Sequence, residues 1–364
     1  MTSKSKTRIP VNHIQAGMKI AEDLYTPKGL MLIPINTVID EKHIFRIRLY
    51  QIISILVYEE EYDNFVENSG ISENQRSYFE KQIAQNFTDF KERYIVQHQQ
   101  TQAKLDSICK GEAIKEDDLF DVTTLLIDSL RTKSDLFNYM YHLKIDDDYT
   151  YTHCLNVSVL ANIFAKWLKL SNEEIREVTI AGLLHDIGKM SLDYEILNKP
   201  GKLTKEEFDH VKLHSKYGYD IIKNQSVSDS IKNGVLFHHE KLDGSGYPLG
   251  LKDSQIPLYA KIIGIADIYD AMTSKRCYHD KYSPFRVIKM FEQESYGLLD
   301  TKLLFVFLEN IAHNYLGKDV LLSTGERAKI VFIHNQSPSR PIVQVNQTMV
   351  DLMVEPDIQI DEIL

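Results

Sequence analysis

The stretch A-G-L-L-H-D-I-G-K, from Ala181 to Lys189, places an imidazole and a carboxylate side by side behind an apolar helical run. Because adjacent residues on an α-helix point about 100° apart, His185 and Asp186 are not expected to hold one small ion by themselves. Neutral imidazole and carboxylate are the ligands of zinc, iron and manganese. The stretch therefore predicts a metal site that takes further ligands from other segments.

Candidates for those further ligands lie both before and after this stretch of the chain. They are His153, His214, the pair His238 and His239, and Asp267. Any one of these histidines, taken alone, is more often a packed core residue than a ligand. His210 and His214 lie one helical turn apart, so spacing alone does not decide which of the two would bind a metal.

Composition excludes several classes of protein. The 364 residues include 43% hydrophobic residues, which can supply a core, and 42 basic against 52 acidic side chains give a net charge of −10. This charge argues against a basic surface for a nucleic-acid polymer. The three cysteines, Cys109, Cys154 and Cys277, form no C-x-x-C pair, which fits a reducing cytoplasm. The longest apolar run, Ile52 to Tyr58, is too short to span a membrane, and no signal peptide is evident.

The pattern along the chain predicts a mainly α fold in four segments. Residues 1–60 contain short apolar runs broken by turns and predict a small β-containing domain, with a helix over residues 40–50. Residues 61–120 predict a helical linker from Ser72 onward, with Ser72 and Gln75 in capping-box spacing. This helix is either a dimerisation stalk or a solvated helix without a partner. Residues 121–316 predict a helical domain that contains the candidate ligands, and 317–364 a small β appendage.

Two further motifs bear on the predicted site. The segment H-H-E-K-L-D-G-S-G-Y-P, His238 to Pro248, ends a helix in a glycine-rich loop directly after the paired histidines. Glycine allows the backbone to approach a ligand closely, so this loop is expected at the rim of the metal pocket. Asp267 and Asp270 then follow at helical i, i+3 spacing. Asp270 has an alternative role, since it could simply cap the helix or pair with Arg276.

Together these motifs resemble the HD-GYP family, a branch of the HD metal-dependent phosphohydrolases. The resemblance rests on H-D-x-G-K at residues 185–189, H-H-E-x-x-D-G-S-G-Y-P at 238–248 and A-D-x-x-D-A-x-T-x-x-R at 266–276, and it covers roughly residues 121–315. It implies an all-helical core whose two- or three-metal centre hydrolyses cyclic di-GMP to pGpG or GMP. The implied ligands are His153, His185, Asp186, His214, His238, His239 and Asp267. Asp186 would bridge two metals, and His210 would be a bystander.

The sequence departs from the family pattern at several positions. Tyr149 stands where three-metal members carry a glutamate, so two divalent ions are expected here, iron or manganese. Arg276-Cys277-Tyr278-His279 replaces Arg-Pro-Tyr followed by a basic residue, which weakens one expected phosphate contact above neutral pH. Lys261 replaces a common arginine and loses its bidentate fork.

The resemblance also implies a mechanism and partners. Two cations about 3.5 to 4 Å apart can activate water for attack on a phosphodiester. Asp186 and Lys189 are the expected catalytic residues, and the expected substrate contacts are Lys189, Tyr247, Asp270, Arg276 and His279. A homodimer through the linker and a GGDEF-type or other signalling protein are the expected partners. The alternatives are an inactive module that binds cyclic di-GMP or a protein, and a general HD nucleotide phosphohydrolase.

Overall fold

The computed structural model of the protein describes residues 6–10, 14, 16–25, 31–49, 52, 54–58, 73–130, 133–143, 149–197, 199, 201–274, 281–346 and 348–364. The chain divides into two compact units, Met1–Phe87 and Thr88–Leu364. Each unit has buried apolar residues of its own. All seven candidate ligands belong to the second unit.

The first unit combines short antiparallel strand pairs with one helix. Strand β1 (Lys6–Pro10) pairs with β4 (Ser54–Tyr58), β2 (Leu24–Tyr25) pairs with β3 (Met31–Ile33), and α1 spans Glu41–Leu49. Its core is rich in β-branched side chains, which suit a pleated surface; they include Ile20, Ile33, Ile39, Ile47, Ile55 and Val57. The predicted β-containing amino-terminal region and its helix are confirmed for the described residues.

A single long helix, α2, spans Glu73–Cys109, as the periodic sequence after Ser72 predicts. Ser72 itself lies outside the described residues, so its capping box stays a prediction. In the part of α2 that belongs to the second unit, Phe90, Tyr94 and Leu105 are buried. The boundaries predicted at residues 60, 120 and 316 also stay predictions.

The described residues in the rest of the second unit are mostly helical up to residue 313. The helices are α3 (Glu116–Asp128), α4 (Lys133–His142), α5 (Tyr149–Trp167), α6 (Asn172–Leu184), α7 (Tyr194–Leu197), α8 (Lys205–Val211), α9 (His214–Ile222), α10 (Asp229–Phe237), α11 (Leu258–Thr273), α12 (Pro284–Glu294) and α13 (Thr301–His313). Two 3-10 helices span Ile187–Ser191 and Asp253–Gln255.

Side-chain caps fix where several of these helices begin. Ser171 with Glu174 and Thr204 with Glu207 have the capping-box spacing in the sequence, and the structure contains both boxes, at the starts of α6 and α8. In each box the hydroxyl accepts from the backbone N–H three residues on, and the glutamate accepts from the cap backbone. Asp300 caps α13 without a reciprocal partner, by accepting from the backbone N–H groups of Lys302 and Leu303. The cap at Ser171 sets the start of α6, the helix that leads to His185 and Asp186.

Helix α5 lies at the centre of the second unit. Every residue from 153 to 165 is buried, and α5 packs against α6 and α11. Its buried polar side chains are satisfied by neighbouring helices, as when Asn162 Nδ2 donates to Thr179 Oγ1 of α6 at 2.9 Å. A helix buried on all sides holds its side chains rigidly, so His153 has a fixed position.

The carboxyl-terminal region forms a five-stranded antiparallel sheet in the order β8-β7-β6-β5-β9. Its strands are β5 (Asp319–Leu322), β6 (Arg327–Phe332), β7 (Ile342–Val345), β8 (Thr348–Asp351) and β9 (Ile360–Ile363). The sequence predicts short strands at Asp319 to Leu322, Ala328 to His334, Pro341 to Asn346 and Met349 to Val354, which correspond to the first four of these. The last strand was missed because its short acidic sequence becomes a strand only by pairing with β5, about 40 residues earlier.

The mainly α architecture with β-containing regions at both ends confirms the predicted fold class. Among the described residues, no helix combines the length and the apolar character needed to cross a lipid bilayer.

Candidate metal centre

The seven candidate ligands come from five segments and converge on one place in the second unit. They are His153 in α5, His185 and Asp186 at the end of α6, His214 at the start of α9, His238 and His239 after α10, and Asp267 in α11. All of these residues are buried except His239, which is partly buried. The structure thus brings together every side chain that the family resemblance implies as a ligand.

The end of helix α6 lets two adjacent side chains face the same point. Helix α6 stops at Leu184, and Asp186 has left α-helical geometry with φ −103° and ψ 9° before the 3-10 helix begins. His185 Nε2 consequently lies 3.3 Å from Asp186 Oδ2. The divergence of about 100° expected for a continuous helix does not apply, because the backbone turns between the two residues.

Glycine at position 188 lets the segment that carries Asp186 pack against α9. A Cβ atom at Gly188 would lie 1.9 Å from the carbonyl oxygen of His214 and 2.4 Å from the backbone nitrogen of Gly218. Only a residue without a side chain allows this approach. The glycine of the H-D-x-G-K motif therefore sets the distance between Asp186 and His214.

The ligand atoms fall into two groups that share Asp186. The first, called here the His153 group, consists of His153, His185 and Asp186. His153 Nε2 lies 3.6 Å from Asp186 Oδ2. Asp267 Oδ1 lies 3.0 Å from the same imidazole nitrogen, so this group combines imidazole nitrogens with carboxylate oxygens.

The second, called here the His214 group, consists of Asp186, His214, His238 and His239. His214 Nε2 lies 3.3 Å from His238 Nε2, 3.1 Å from His239 Nε2 and 3.3 Å from Asp186 Oδ1. This group is therefore richer in imidazole. Asp267 Oδ2 lies 3.6 Å from His239 Nδ1, so Asp267 faces both groups.

Backbone carbonyls fix the orientation of three of the imidazole rings. The Nδ1 atoms of His185, His214 and His238 lie 2.7, 2.7 and 2.8 Å from the carbonyl oxygens three residues earlier in each case. Because a carbonyl oxygen can only accept, each Nδ1 must carry the proton. The lone pair on each Nε2 then faces the centre, which is the tautomer that a metal ligand needs.

Two observations show that this arrangement fits bound cations. The Nε2 atoms of His214 and His238 are 3.3 Å apart, and both present lone pairs, so they do not form a hydrogen bond with each other. His185 Nε2 and Asp186 Oδ1 are buried and have no hydrogen-bond partner among the described residues. A buried acceptor without a donor is costly. A divalent cation in each group, with Asp186 between them, would satisfy all of these atoms.

The electrostatics differ between the two groups. Burial lowers the pKa of His239 to about 3 and the pKa of His238 well below its usual range, and it also lowers that of His214. Burial acts in the same direction on His153, but hydrogen bonds to Asp267 and Asp270 outweigh it and raise its pKa to about 9. At neutral pH the His214 group therefore offers unprotonated imidazole, whereas a cation must displace a proton from His153.

The shared carboxylate is held in its charged form. Burial alone would raise the pKa of Asp186, but the positive charge of Lys189 and contacts with His185 lower it well below its usual range. Lys189 Nζ donates to Asp186 Oδ2 at 2.5 Å. The ammonium group of Lys189 thus lies beside the centre, and its side chain is only partly buried.

The residues predicted to contact a substrate have different positions. The Tyr247 ring lies 4.6 Å from the His239 ring, centroid to centroid, so it borders the His214 group. Burial raises the pKa of Tyr247, which keeps its hydroxyl protonated. Asp270 is buried, and its Oδ2 accepts from His153 Nδ1 at 2.7 Å. Such a carboxylate orients a metal-binding imidazole, a role that the sequence reasoning did not assign to Asp270.

Arg276 and His279, the remaining predicted substrate contacts, lie outside the described residues. Tyr149, which occupies the place of a third-metal glutamate, stacks on His153 with ring centroids 5.4 Å apart and an interplanar angle of 16°. His210, the predicted bystander, belongs to neither ligand group.

The glycine-rich loop is fastened by a residue that the sequence reasoning did not single out. Glu240 is buried, and its two carboxylate oxygens accept from the backbone N–H groups of Leu249 at 2.7 Å and Leu251 at 2.9 Å. These bonds return the loop to the end of α10. Tyr247 is thereby held over His239. The position of Glu240 directly after His238 and His239 was the one feature of the sequence that could have drawn attention to it.

Comparison with known proteins agrees with this geometry. Residues 125–303 match the HD domain family. Over 236 residues, the chain is 34% identical to a cyclic di-GMP phosphodiesterase of Pseudomonas aeruginosa, covering 65% of this chain and 57% of that protein. It is 37% identical to a 3′3′-cGAMP-specific phosphodiesterase of Vibrio cholerae, over 46% of this chain and 39% of that protein. The chain thus spans about half the length of these relatives.

A solved structure shows the same fold. An HD-GYP-type protein from Bdellovibrio bacteriovorus superposes with a TM-score of 0.50 and 16% identity, covering 83% of this chain and 98% of that one. At this identity the likeness concerns the fold alone. Residues 125–303 are therefore an HD domain, and the motifs within them are similar to those of the HD-GYP branch.

Proposed function

We propose that the protein is a metal-dependent phosphodiesterase that hydrolyses cyclic di-GMP to pGpG, GMP or both. The observation that carries this proposal is the pair of ligand groups that share Asp186 inside an HD domain. Similar proteins named as cyclic di-GMP phosphodiesterases support the substrate.

The proposed cofactor is two divalent cations, one for each ligand group. When bound, such cations supply Lewis acidity toward the phosphodiester oxygens and activate water at neutral pH. Mixed imidazole and carboxylate donors suit iron, and carboxylates also suit manganese. We therefore propose iron or manganese as the native metal.

The protein's own residues would orient the substrate and balance its charge. Lys189 lies beside Asp186 with a partly exposed ammonium group, so it is placed to neutralise negative charge that develops on the phosphate. Tyr247, at the rim of the His214 group, offers a ring for stacking on guanine. Arg276 and His279 stay predicted phosphate contacts.

The proposal is tested by assaying protein loaded anaerobically with iron or manganese. Cyclic di-GMP should be converted to pGpG or GMP, and Asp186→Ala should abolish the reaction because both groups lose a ligand. Asp209→Ala, which removes an exposed carboxylate on α8, is the matched control and should retain activity. Full turnover by Asp186→Ala would contradict the proposal.

The same assay separates the alternatives. Because one similar protein is named as specific for 3′3′-cGAMP, that dinucleotide belongs in the panel beside cyclic di-GMP and mononucleotides. Faster hydrolysis of mononucleotides would indicate a general HD phosphohydrolase. Tight binding of cyclic di-GMP without product at saturating metal would indicate a non-catalytic binding module.

We further propose a cytoplasmic location, which the three cysteines without a C-x-x-C pair support. A homodimer through α2 and a GGDEF-type or other signalling partner are proposed from the family resemblance. Light scattering of the purified full chain tests the dimer, and a monomer at all concentrations would exclude it.

A further inference from the structure

A line of buried hydrogen bonds runs from the His153 group to helix α2. His153 Nδ1 lies 2.7 Å from Asp270 Oδ2, Asn156 Nδ2 donates to Asp270 Oδ1 at 2.8 Å, and Tyr94 Oη donates to Asn156 Oδ1 at 2.6 Å. All four residues are at most 6% exposed. The line therefore connects three helices, α11, α5 and α2, without involving exposed side chains.

Each group in this line has only one consistent role. The carboxylate of Asp270 accepts, so Asn156 must present its amide NH2 to Asp270 and its oxygen to Tyr94. The Tyr94 hydroxyl must then donate, and burial raises its pKa well above the usual range, so it stays protonated. At the other end, His153 must hold its proton on Nδ1. Its Nε2 atom then faces Asp186 and Asp267 and is the atom that binds a cation once the cation has displaced its proton.

Asp270 depends on these neighbours for its position. Its Oδ1 atom accepts from Asn156 Nδ2 and from Ser274 Oγ, at 2.8 and 3.0 Å, and its Oδ2 atom faces His153. If Asn156 turned its amide, an oxygen would face the Asp270 carboxylate. The Tyr94 hydroxyl opposes this turn because it donates to the amide oxygen at 2.6 Å. Tyr94 also lies 3.4 Å from the backbone oxygen of Thr152, a longer contact.

We propose that Tyr94 and Asn156 are positioning residues for the metal centre. Through Asp270 they fix the ring orientation of His153 and so raise the affinity of the His153 group for its cation. This inference rests on the proposed two-cation function. It assigns to α2 a part in forming the site, although α2 contributes no ligand. A shift of α2 along α5 would lengthen the bond between Tyr94 and Asn156 and weaken cation binding.

The competing explanation is that the Tyr94 hydroxyl only helps α2 to pack on α5. The chain offers a matched control for this explanation. Tyr151, on α5, donates its hydroxyl to Asp106 Oδ1 on α2 at 2.7 Å, so it joins the same two helices with the same chemistry. Asp106 is not part of either ligand group. A packing role predicts similar consequences for the loss of either hydroxyl.

The test compares Tyr94→Phe, Asn156→Ala and Tyr151→Phe in the full chain. Cobalt is titrated into each protein against a competing chelator, and the visible absorption of bound cobalt reports the geometry of each site. Removing a partner that orients a ligand typically weakens metal binding by about 10- to 100-fold. We expect the affinity for one of the two cations to fall by about tenfold in Asn156→Ala and by about threefold or more in Tyr94→Phe. In Tyr151→Phe the affinity should not change.

The outcomes distinguish this inference from the proposed function. Wild-type protein that binds no cobalt would refute the proposed metal centre itself. Two bound ions in wild type, with unchanged affinity and spectrum in Tyr94→Phe, would overturn the inference alone. Equal losses in Tyr94→Phe and Tyr151→Phe would also overturn it, because they would indicate packing. If Asn156→Ala fails to fold, the two tyrosine variants decide the question.

Discussion

The two ligand groups share one kind of anchor but differ in a second. His185 of the His153 group is held, like His214 and His238, by a backbone carbonyl three residues earlier. In the His214 group, the rings of His214 and His238 are held by backbone carbonyls three residues earlier. In the His153 group, His153 is held by Asp270, which lies 117 positions later in the chain. A carbonyl three residues earlier is fixed by the local backbone structure. A carboxylate on another helix is fixed only when the tertiary structure is complete.

This difference suggests a division of roles. Local anchors make the His214 group rigid, whereas the long-range anchor makes the geometry of the His153 group depend on α11, α5 and α2. The two groups also differ in protonation. The pKa of His153 is about 9, so a cation must displace a proton from it at neutral pH, whereas the pKa of His239 is about 3. The His153 group is therefore expected to be the weaker and more adjustable cation site.

The largest expected effect comes from removing one histidine from either group. His153→Gln and His238→Gln should each lower the bound cations from two to one and the rate of hydrolysis by more than about 100-fold, since ligands matter at least as much as their supporting residues. Elemental analysis and product formation measure both effects. His210→Gln, one turn from His214 but in neither group, should behave like wild type. Loss of both cations in both variants would show that the groups are not separable.

The next effect concerns the packing that joins the groups. Gly188→Ala would place a methyl group 1.9 Å from the His214 carbonyl oxygen, so the 3-10 helix and α9 must move apart. We expect the free energy of unfolding to fall by about 1 to 3 kcal/mol and the His214 group to bind its cation less tightly. Denaturant unfolding and cobalt titration measure these quantities. Ser191→Ala, at the exposed end of the same 3-10 helix, is the control, and an unaltered Gly188→Ala would contradict the close packing.

The two groups should affect stability at opposite ends of the pH range when a chelator removes cations. The pKa of His153 is raised from about 6.5 to about 9. Its contribution to the free energy of unfolding is therefore fully present below pH 6.5 and is lost as the pH rises through 9. The pKa of His239 is lowered to about 3, so its contribution is present above pH 6.5 and is lost as the pH falls toward 3.

Each contribution is expected to be on the order of 1 to 3 kcal/mol. Unfolding free energies measured from pH 4 to 10 should show a flatter alkaline side in His153→Gln and a flatter acid side in His239→Gln. Identical pH profiles for wild type and His153→Gln would contradict the assignment of a raised His153 pKa.

The smallest expected effect concerns the loop beside the His214 group. Glu240→Gln replaces one of two acceptor oxygens with an NH2 group that would face a backbone N–H. We expect KM for cyclic di-GMP to rise by about tenfold, because one charge-assisted hydrogen bond is lost, with two cations still bound. Glu206→Gln, at an exposed position on α8, serves as control. A loss of metal in Glu240→Gln would show that the loop supports the ligands and not the substrate.

Much of the helical core could be predicted from local signals. The capping boxes at Ser171 and Thr204 are complete within four residues, and the structure contains both. The strand β9 could not be predicted, because it is defined by pairing with β5 rather than by its own composition. The role of Asp270 was missed for a similar reason, since its partner is distant in sequence. Glu240 was missed because its acceptors contact backbone groups, which the sequence does not distinguish.

The sequence by itself determined the chemistry available at the centre, because imidazole and carboxylate donors at those positions, in a recognisable family order, define which ions they can bind. Only the tertiary structure decided that six of the seven side chains form two groups that share Asp186, with Asp267 facing both. It also decided that Tyr94, Asn156 and Asp270 lie in line behind His153. The physical reason is that ligand identity is a property of single residues. Distances and hydrogen-bond directions between helices exist only after those helices have packed.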